Sequence, residues 1–144
     1  MKVAVASDHA GFELKEKVKE YLESEGHSVE DLGCHGTESC DYPDYAKKLC
    51  RTILENRCER GVLICGTGLG MSYTANRFKG IRAALCVNPF MAEMARAHND
   101  ANVLVLGARV IGFDTGREIL NVWMKTPFEG GRHQRRICKI DERE

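Results

Sequence analysis

The sequence predicts an α/β fold in which a parallel sheet lies between two layers of helices. Its 144 residues fit one domain, and no internal repeat or low-complexity tract divides them. Short apolar runs alternate with amphipathic patterns of helical period, and this alternation implies right-handed βαβ crossovers. We therefore expect residues 1–144 to form a single-domain three-layer α/β/α sandwich. Its sheet should be five-stranded, mainly parallel and Rossmann-like, followed by a C-terminal tail helix.

Each element is predicted from a local pattern. The buried strands are expected at Val3 to Ser7, Ser28 to Leu32, Val62 to Cys65, Ile81 to Val87 and Val103 to Gly107. Apolar helical faces are formed by Leu14, Val18, Tyr21 and Leu22, by Tyr42, Tyr45, Ala46, Leu49 and Ile53, and by Met91, Met94, Ala95 and His98. A further helix is expected from about Phe113 to Lys125, and Thr126 to Gly131 should form a hinge into a short basic helix.

The charge balance and the cysteine content argue against several classes of protein. Lys and Arg total 21, as do Asp and Glu, so the net charge suggests neither a nucleic-acid nor a membrane partner. The seven cysteines include no C-x-x-C pair, and a disulfide framework is not expected. The first apolar run is too short for a signal peptide, and no run reaches membrane-spanning length. A reducing cytoplasm is the simplest expected location.

The strongest signal for chemistry is the segment Ile64-Cys65-Gly66-Thr67-Gly68-Leu69-Gly70, where the third predicted strand ends. Ligands of parallel α/β sheets bind beyond the carboxyl ends of the strands. The glycines let backbone N–H groups approach a phosphate or an oxyanion, and a helix N-terminus favours the thiolate of a nearby cysteine. The loop lacks the lysine of a P-loop and the spacing of a dinucleotide site. It favours a thiolate base beside an oxyanion cradle, and the alternative is a cysteine that only packs.

Two histidine segments are further candidates. His98-Asn99-Asp100 lies at a predicted helix end, where it could simply complement the helix dipole and form a turn. Histidine is nevertheless the side chain best suited to proton transfer near neutral pH. Asp8-His9 follows the first strand, where Asp8 could cap the first helix and both side chains could bind ligand hydroxyl groups.

Arg132 and Arg136 are candidates for binding an anion. They are four residues apart in the predicted tail helix and therefore share one face. Guanidinium groups bind phosphate as a bidentate fork, so the pair could form a phosphate clamp, and the alternative is a solvated basic face. A metal site is not expected, because the spacing of Cys34, His35 and Cys40 matches no standard zinc pattern.

Taken together, these motifs resemble those of the type B ribose-5-phosphate isomerases, over almost the whole chain. The resemblance rests on Ser7-Asp8-His9-Ala10-Gly11, Cys65-Gly66-Thr67-Gly68-Leu69-Gly70, Arg96-Ala97-His98-Asn99-Asp100 and Glu129-Gly130-Gly131-Arg132-His133. It implies a cofactor-free aldose-ketose isomerase that interconverts D-ribose 5-phosphate and D-ribulose 5-phosphate in the non-oxidative branch of the pentose phosphate pathway. The alternatives are an isomerase of a six-carbon substrate, such as allose 6-phosphate or galactose 6-phosphate, and a non-catalytic phosphate- or nucleotide-binding module.

The resemblance also implies a role for each site residue. Cys65 would remove the C2 proton of the open-chain aldose, and His98 would catalyse ring opening. The enediolate would be bound by backbone N–H groups of Gly66, Thr67, Gly68, Leu69 and Gly70, with Thr67 orienting the sugar. Asp8, His9 and Asn99 match substrate contacts, and Arg132 and Arg136 match phosphate ligands, with Arg109 a further candidate. The implied assembly is a homodimer or dimer of dimers, whose site combines the cysteine loop of one subunit with the His98 segment of another.

Overall fold

Strands and helices alternate along the chain in the computed structural model, which describes residues 1–142. The strands are β1 Lys2–Ser7, β2 Ser28–Asp31, β3 Arg60–Cys65, β4 Ala83–Leu85 and β5 Val103–Gly107. The helices are α1 Phe12–Ser24, α2 Tyr42–Leu54, α3 Leu69–Ala75, α4 Pro89–Ala97, α5 Phe113–Lys125 and α6 Arg132–Asp141. The predicted tail helix and the hinge before it are confirmed. Residues 143 and 144 of the predicted domain lie outside the described part.

The five strands form one sheet in the order β2-β1-β3-β5-β4. Every pair of neighbouring strands is parallel, which confirms the predicted α/β architecture. The chain leaves β1 toward one edge of the sheet and leaves β3 toward the other edge. The neighbouring strands β1 and β3 therefore form the topological switch point, where doubly wound sheets open a crevice at the carboxyl ends of their strands.

Two hydrophobic cores cover the two faces of the sheet. Side chains alternate along each strand, so that Val62 and Ile64 face the core with α1, α4 and α5, while Leu63 and Cys65 face the core with α2 and α3. The helices are amphipathic and turn one side to these cores. Within residues 1–142, no helix is both long and apolar enough to cross a membrane.

The fourth strand is shorter than predicted. The sequence indicates a strand from Ile81 to Val87, but the ladder extends only over β4. On one side, the Arg82 N–H donates to the Asn102 side chain at 2.9 Å. On the other side, Val87 is exposed and the Asn88 side chain accepts the Met91 N–H at 2.9 Å, which begins α4. β4 lies at the sheet edge, where it has one partner strand and its apolar ends need not pair.

The buried ammonium group of Lys15 is neutralised by the carboxylate that ends β2. The Lys15 side chain is 0% exposed, and its Nζ donates to Asp31 at 2.6 and 2.8 Å. Asp31 also accepts hydrogen bonds from Lys19 Nζ at 2.7 Å and from the Gly33 N–H at 2.9 Å. Burial raises the pKa of Asp31, but the hydrogen bonds from Lys15, Lys19 and Gly33 prevail and hold that pKa at about 2. The carboxylate thereby fixes α1 against the start of the loop after β2.

Replacing Asp31 with Asn should destabilise the fold, because Lys15 then keeps a buried charge without its main partner. We expect the free energy of unfolding at pH 7 to fall by about 3 kcal/mol. The folded-state pKa of Asp31 is depressed, so its stabilisation is complete above the unfolded value of about 4 and is lost as pH falls toward about 2. The free energies of unfolding of the wild type and Asp31→Asn, measured with urea, should therefore become equal as the pH falls through that window. Asp114→Asn, at an exposed site, is the control and should unfold like the wild type. Equal urea midpoints of Asp31→Asn and the wild type at pH 7 would contradict the prediction.

Candidate active site

The carboxyl ends of β1 and β3 bring two predicted segments together. Ser7 pairs with Ile64 in the sheet, and the Asp8 N–H donates to the Ile64 carbonyl at 3.2 Å. The segment Asp8-His9 therefore lies beside the loop that follows Cys65. This position is the switch point of the sheet, where a bound ligand is expected in a fold of this kind.

The Cys65 sulfur is held by the loop that follows it. The Gly68 N–H donates to Cys65 Sγ at 3.2 Å, an interaction that stabilises negative charge on sulfur. Gly68 has a φ of 85°, a left-handed conformation that glycine adopts without strain, and this conformation turns the N–H back toward the sulfur. Cys65 is 4% exposed, whereas Thr67 next to it is exposed. The thiol thus lies at the base of the crevice, largely shielded from bulk water.

Two of the five N–H groups predicted to form the oxyanion cradle have partners inside the loop. The Gly68 N–H is bonded to the sulfur, and the Leu69 N–H donates to Thr67 Oγ1 at 3.2 Å. The Thr67 hydroxyl therefore accepts from the loop and keeps its own proton to donate outward. In this arrangement the Gly68 N–H is bonded to the predicted base and is not free for an oxyanion.

Gly107, at the end of β5, allows the cysteine loop to lie against the neighbouring strand. A Cβ at this position would lie 2.5 Å from the Thr67 carbonyl oxygen, closer than any side chain permits. Two residues later, the Arg109 N–H donates to the Gly66 carbonyl at 2.9 Å. The Arg109 side chain passes over Gly66, where a Cβ would lie 3.3 Å from Nη1. The structure therefore places Arg109 at the cysteine crevice.

Asp8 and His9 are oriented by hydrogen bonds with the backbone. Asp8 is buried and its Oδ1 accepts the Gly11 N–H at 3.1 Å. Gly11 is itself the N-cap of α1, so Asp8 closes the preceding turn and is not the predicted helix cap. His9 Nδ1 accepts the Cys40 N–H at 3.2 Å, which leaves the proton of the neutral ring on Nε2. His9 can thus donate this Nε2–H to a ligand hydroxyl group.

His98 and Asn99 lie at the opposite end of the sheet. α4 begins beyond the carboxyl end of β4 and runs back, so that its C-cap, His98, lies near the amino end of β5. The four steps from the first to the last residue of β5 rise about 3.3 Å each, which separates the two ends of β5 by about 13 Å. Asn99 is exposed beside His98, and its carbonyl accepts a hydrogen bond from Arg82 Nε at 2.8 Å. Within one chain, His98 and Cys65 are not brought together.

The two arginines of the tail helix lie with His98. The Glu129 N–H donates to the Ala97 carbonyl at 3.0 Å, and Arg82 Nη1, just before β4, contacts Asp141 at 3.1 Å. These contacts place α6 at the amino end of the sheet, where Arg132 and Arg136 are both exposed. The site residues thus form two sets. The crevice set is Asp8, His9, Cys65, Thr67 and Arg109 with the intervening glycine loop, and the tail set is His98, Asn99, Arg132 and Arg136.

Two residues beside the tail set contact His98 and were not predicted as site residues. His133 stacks on His98, and the Glu129 carboxylate lies 3.8 Å from His98 Nε2. The ligating atoms of these three residues lie within 4.8 Å of one another, a spacing that could admit a metal ion. The ring planes are 9° apart, so the nitrogen lone pairs, which lie in those planes, run side by side and do not converge on one point as metal ligands would. Glu129 precedes the first residue of α6, so no helical spacing could have indicated this contact.

The chain combines a doubly wound α/β fold, a thiol at the switch point of the sheet and a pair of arginines one helical turn apart. This combination is typical of the class of enzymes that act on phosphorylated substrates. The family model of ribose/galactose isomerases matches residues 3–140. The chain belongs to this family, which confirms the resemblance found in the sequence.

Individual relatives agree with the family assignment. The crystal structure of a ribose 5-phosphate isomerase from Thermotoga maritima matches with a TM-score of 0.97 and 60% identity, over 99% of this chain and 98% of that one. Ribose-5-phosphate isomerase B of Escherichia coli is 43% identical, over 96% of this chain and 93% of that protein. D-erythrulose-4-phosphate isomerase of Pectobacterium atrosepticum is 40% identical, over 97% of this chain and 93% of that protein.

Gly107→Ala should displace the cysteine loop, because the added methyl group meets the Thr67 backbone. We expect kcat/KM for isomerisation of ribose 5-phosphate to fall about a hundredfold, as for a misplacement of roughly 1 Å. Gly36→Ala is the matched control, since a Cβ at Gly36 has no atom within 4 Å. Steady-state kinetics with circular dichroism of both variants measure this. Wild-type kinetics in a folded Gly107→Ala protein would contradict the packing role.

Proposed function

We propose that this chain interconverts D-ribose 5-phosphate and D-ribulose 5-phosphate, with Cys65 as the base. The observation that supports this most directly is the Cys65 sulfur, bonded by the Gly68 N–H at the switch point of the sheet. Relatives from Thermotoga maritima and Escherichia coli that share this fold or sequence are named as ribose 5-phosphate isomerases. The reaction belongs to the non-oxidative branch of the pentose phosphate pathway.

The isomerisation transfers one proton between neighbouring carbons. The Cys65 thiolate takes the C2 proton of the open-chain aldose, the electron pair forms the C1–C2 double bond, and O1 acquires the negative charge. The proton of the O2 hydroxyl then passes to O1, the C2 carbonyl forms, and the Cys65 thiol returns a proton to C1, which gives the ketose. The aldehyde is reduced as the alcohol is oxidised within one molecule, so the proposed reaction requires no redox cofactor. Donors for the oxyanion are the N–H groups of Gly66 and Gly70 and the Thr67 hydroxyl, and the loss of one donor typically costs about 3 kcal/mol.

The remaining residues bind the substrate and open its ring. His98 exchanges a proton with the furanose oxygen. Asp8, His9 and Asn99 bind hydroxyl groups. The phosphate is bound by Arg132 and Arg136, whose guanidinium groups lie one helical turn apart, and by Arg109 from the crevice set.

The two sets of residues form one site if a second copy of the chain supplies the tail set. The separation of about 13 Å along β5 exceeds the length of one pentose phosphate, so one substrate molecule cannot contact both ends of the sheet in a single chain. Apolar side chains near the carboxyl end of the sheet are exposed, with Phe90 67% and Tyr73 65% exposed, as expected for a surface that a second copy covers. We therefore propose a homodimer, or a dimer of dimers, in which each site combines the crevice of one copy with the tail set of its partner.

Other sugar phosphates are the second candidate substrates. The family description covers ribose and galactose isomerases, and the relative from Pectobacterium atrosepticum is named for a four-carbon substrate. As the alternative function, these names favour an isomerase of a sugar phosphate with a different number of carbons over a non-catalytic binding module. A comparison of kcat/KM on four-, five- and six-carbon sugar phosphates, including allose 6-phosphate and galactose 6-phosphate, distinguishes them, because the length of the crevice selects the substrate.

We also propose that the protein works in the cytoplasm, without a nucleic-acid or membrane partner. All seven cysteines are free thiols, two of them in the loop beside His9, as a reducing compartment would maintain them. Cys65 in particular must stay reduced to act as a base.

Cys65→Ala should abolish the reaction while the fold remains, because the variant loses only the proton acceptor. We expect kcat to fall by at least about a thousandfold, together with incorporation of solvent deuterium at C1 of ribulose 5-phosphate. Cys138→Ala, which removes an exposed thiol, is the control and should retain wild-type turnover. Retained turnover in Cys65→Ala would show that another group is the base.

Mixing two inactive variants tests the shared site. A heterodimer of Cys65→Ala and His98→Asn chains has one site with both substitutions and one with neither. After joint refolding in equal amounts, activity should return to about a quarter of the wild-type value per chain, because half of the dimers contain one intact site. Mixing without refolding is the control. Activity no higher than the mean of the two variants, in verified heterodimers, would show that each chain has a complete site.

A further inference from the structure

Two imidazole rings lie face to face where α4 meets α6. The rings of His98 and His133 have centroids 4.1 Å apart and planes 9° apart. The His98 side chain is 37% exposed, while that of His133 is only 8% exposed. The Glu129 carboxylate lies at the edge of both rings, 3.8 Å from His98 Nε2 and 3.5 Å from His133 Nε2. The three residues form a compact unit in which only His98 has a proposed role so far.

The surroundings of the two rings make them unequal. Burial lowers the pKa of His133, the charges of His98, Arg132 and Arg136 lower it further, and Glu129 opposes them. Two like charges at the stacking distance repel each other, so a charge on one ring opposes a charge on the other. His98 is the more exposed ring and lies at the C-terminus of α4. A substrate can therefore reach His98, while His133 packs beneath it.

We propose that His133 and Glu129 are positioning residues for proton transfer by His98: the stacked His133 ring fixes the plane of His98, and Glu129 stabilises its protonated form. This inference rests on the proposed ring-opening role of His98. In that step the C1–O4 bond of the furanose breaks, and O4 takes the proton of His98. O1 releases its proton to solvent as the C1 carbonyl forms, and His98 is then reprotonated by solvent.

Ribulose 5-phosphate supplies an internal control for this proposal. Its 5-hydroxyl group is esterified, so it cannot close a furanose ring. Exchange of its C1 hydrogen with solvent deuterium requires Cys65 and the phosphate ligands but no ring opening. We define the ring-opening ratio as kcat/KM for ribose 5-phosphate isomerisation divided by kcat/KM for this exchange. Damage to α6 lowers both rates, whereas a loss of positioning lowers the ratio.

The test measures this ratio in four variants of the full chain. H98N sets the lower limit, about a hundredfold below wild type. H133A should lower the ratio about tenfold, because the ring of His98 loses its support. H133F, which keeps a flat ring at the same position, should restore most of the ratio. E129Q should move the alkaline limb of the ribose 5-phosphate pH profile to lower pH and leave the exchange profile unmoved.

Two results would overturn the assignment: equal losses of both rates in H133A, or an unmoved ribose 5-phosphate profile in E129Q. Glu129 is exposed, so E129Q provides a decisive result even if a His133 variant does not fold. If the proposed function itself is wrong, the results will differ from both of these. In that case the wild-type protein would show no Cys65-dependent exchange, or H98N would keep the wild-type ratio.

Discussion

The parallel direction of all five strands is the constraint on which the arrangement of the site depends. The residues that follow β1, β3 and β5 therefore lie at one end of the sheet. The helices α4 and α5 run back along the sheet and end at its other end. Cys65 and Arg109 therefore lie in a crevice that His98, Arg132 and Arg136 of the same chain do not reach. In the proposed assembly these two groups of residues are half-sites, and a second copy of the chain joins them.

Different interactions hold the side chains of the two half-sites in place. In the crevice, backbone hydrogen bonds hold the functional groups: the Gly68 N–H holds the sulfur, and the Cys40 N–H holds His9. The loop that contains Cys40 is fixed at its start by Asp31, which bonds both the Gly33 N–H and the buried Lys15. In the tail half-site, side chains hold one another through ring stacking and a shared carboxylate. Backbone donors suit a base that must carry negative charge, and a stacked imidazole suits a proton donor that must keep its orientation.

Much of the fold was predictable because its central strands are apolar on both faces. β1, β3 and β5 are found where the apolar runs indicated them, and the glycine loop after Cys65 leads into a helix as expected. The short β4 was not predictable, since the same apolar residues serve equally as a strand or as the turns beside it. The stacking of His98 on His133 and the bond from Cys40 to His9 join segments far apart in sequence. Local pattern contains no information about such contacts, and the motif spacing alone could not show that the site residues divide between two ends.

The most direct measurement of the shared site is a crystal structure of the protein with a non-isomerisable five-carbon sugar-acid phosphate. The structure predicts one ligand between two copies, with its carboxylate end near the Cys65 sulfur of one copy. Its phosphate should lie within about 3 Å of the Arg132 and Arg136 guanidinium groups of the other copy. A ligand bound entirely by residues of a single chain, or bound away from Cys65, would contradict the account.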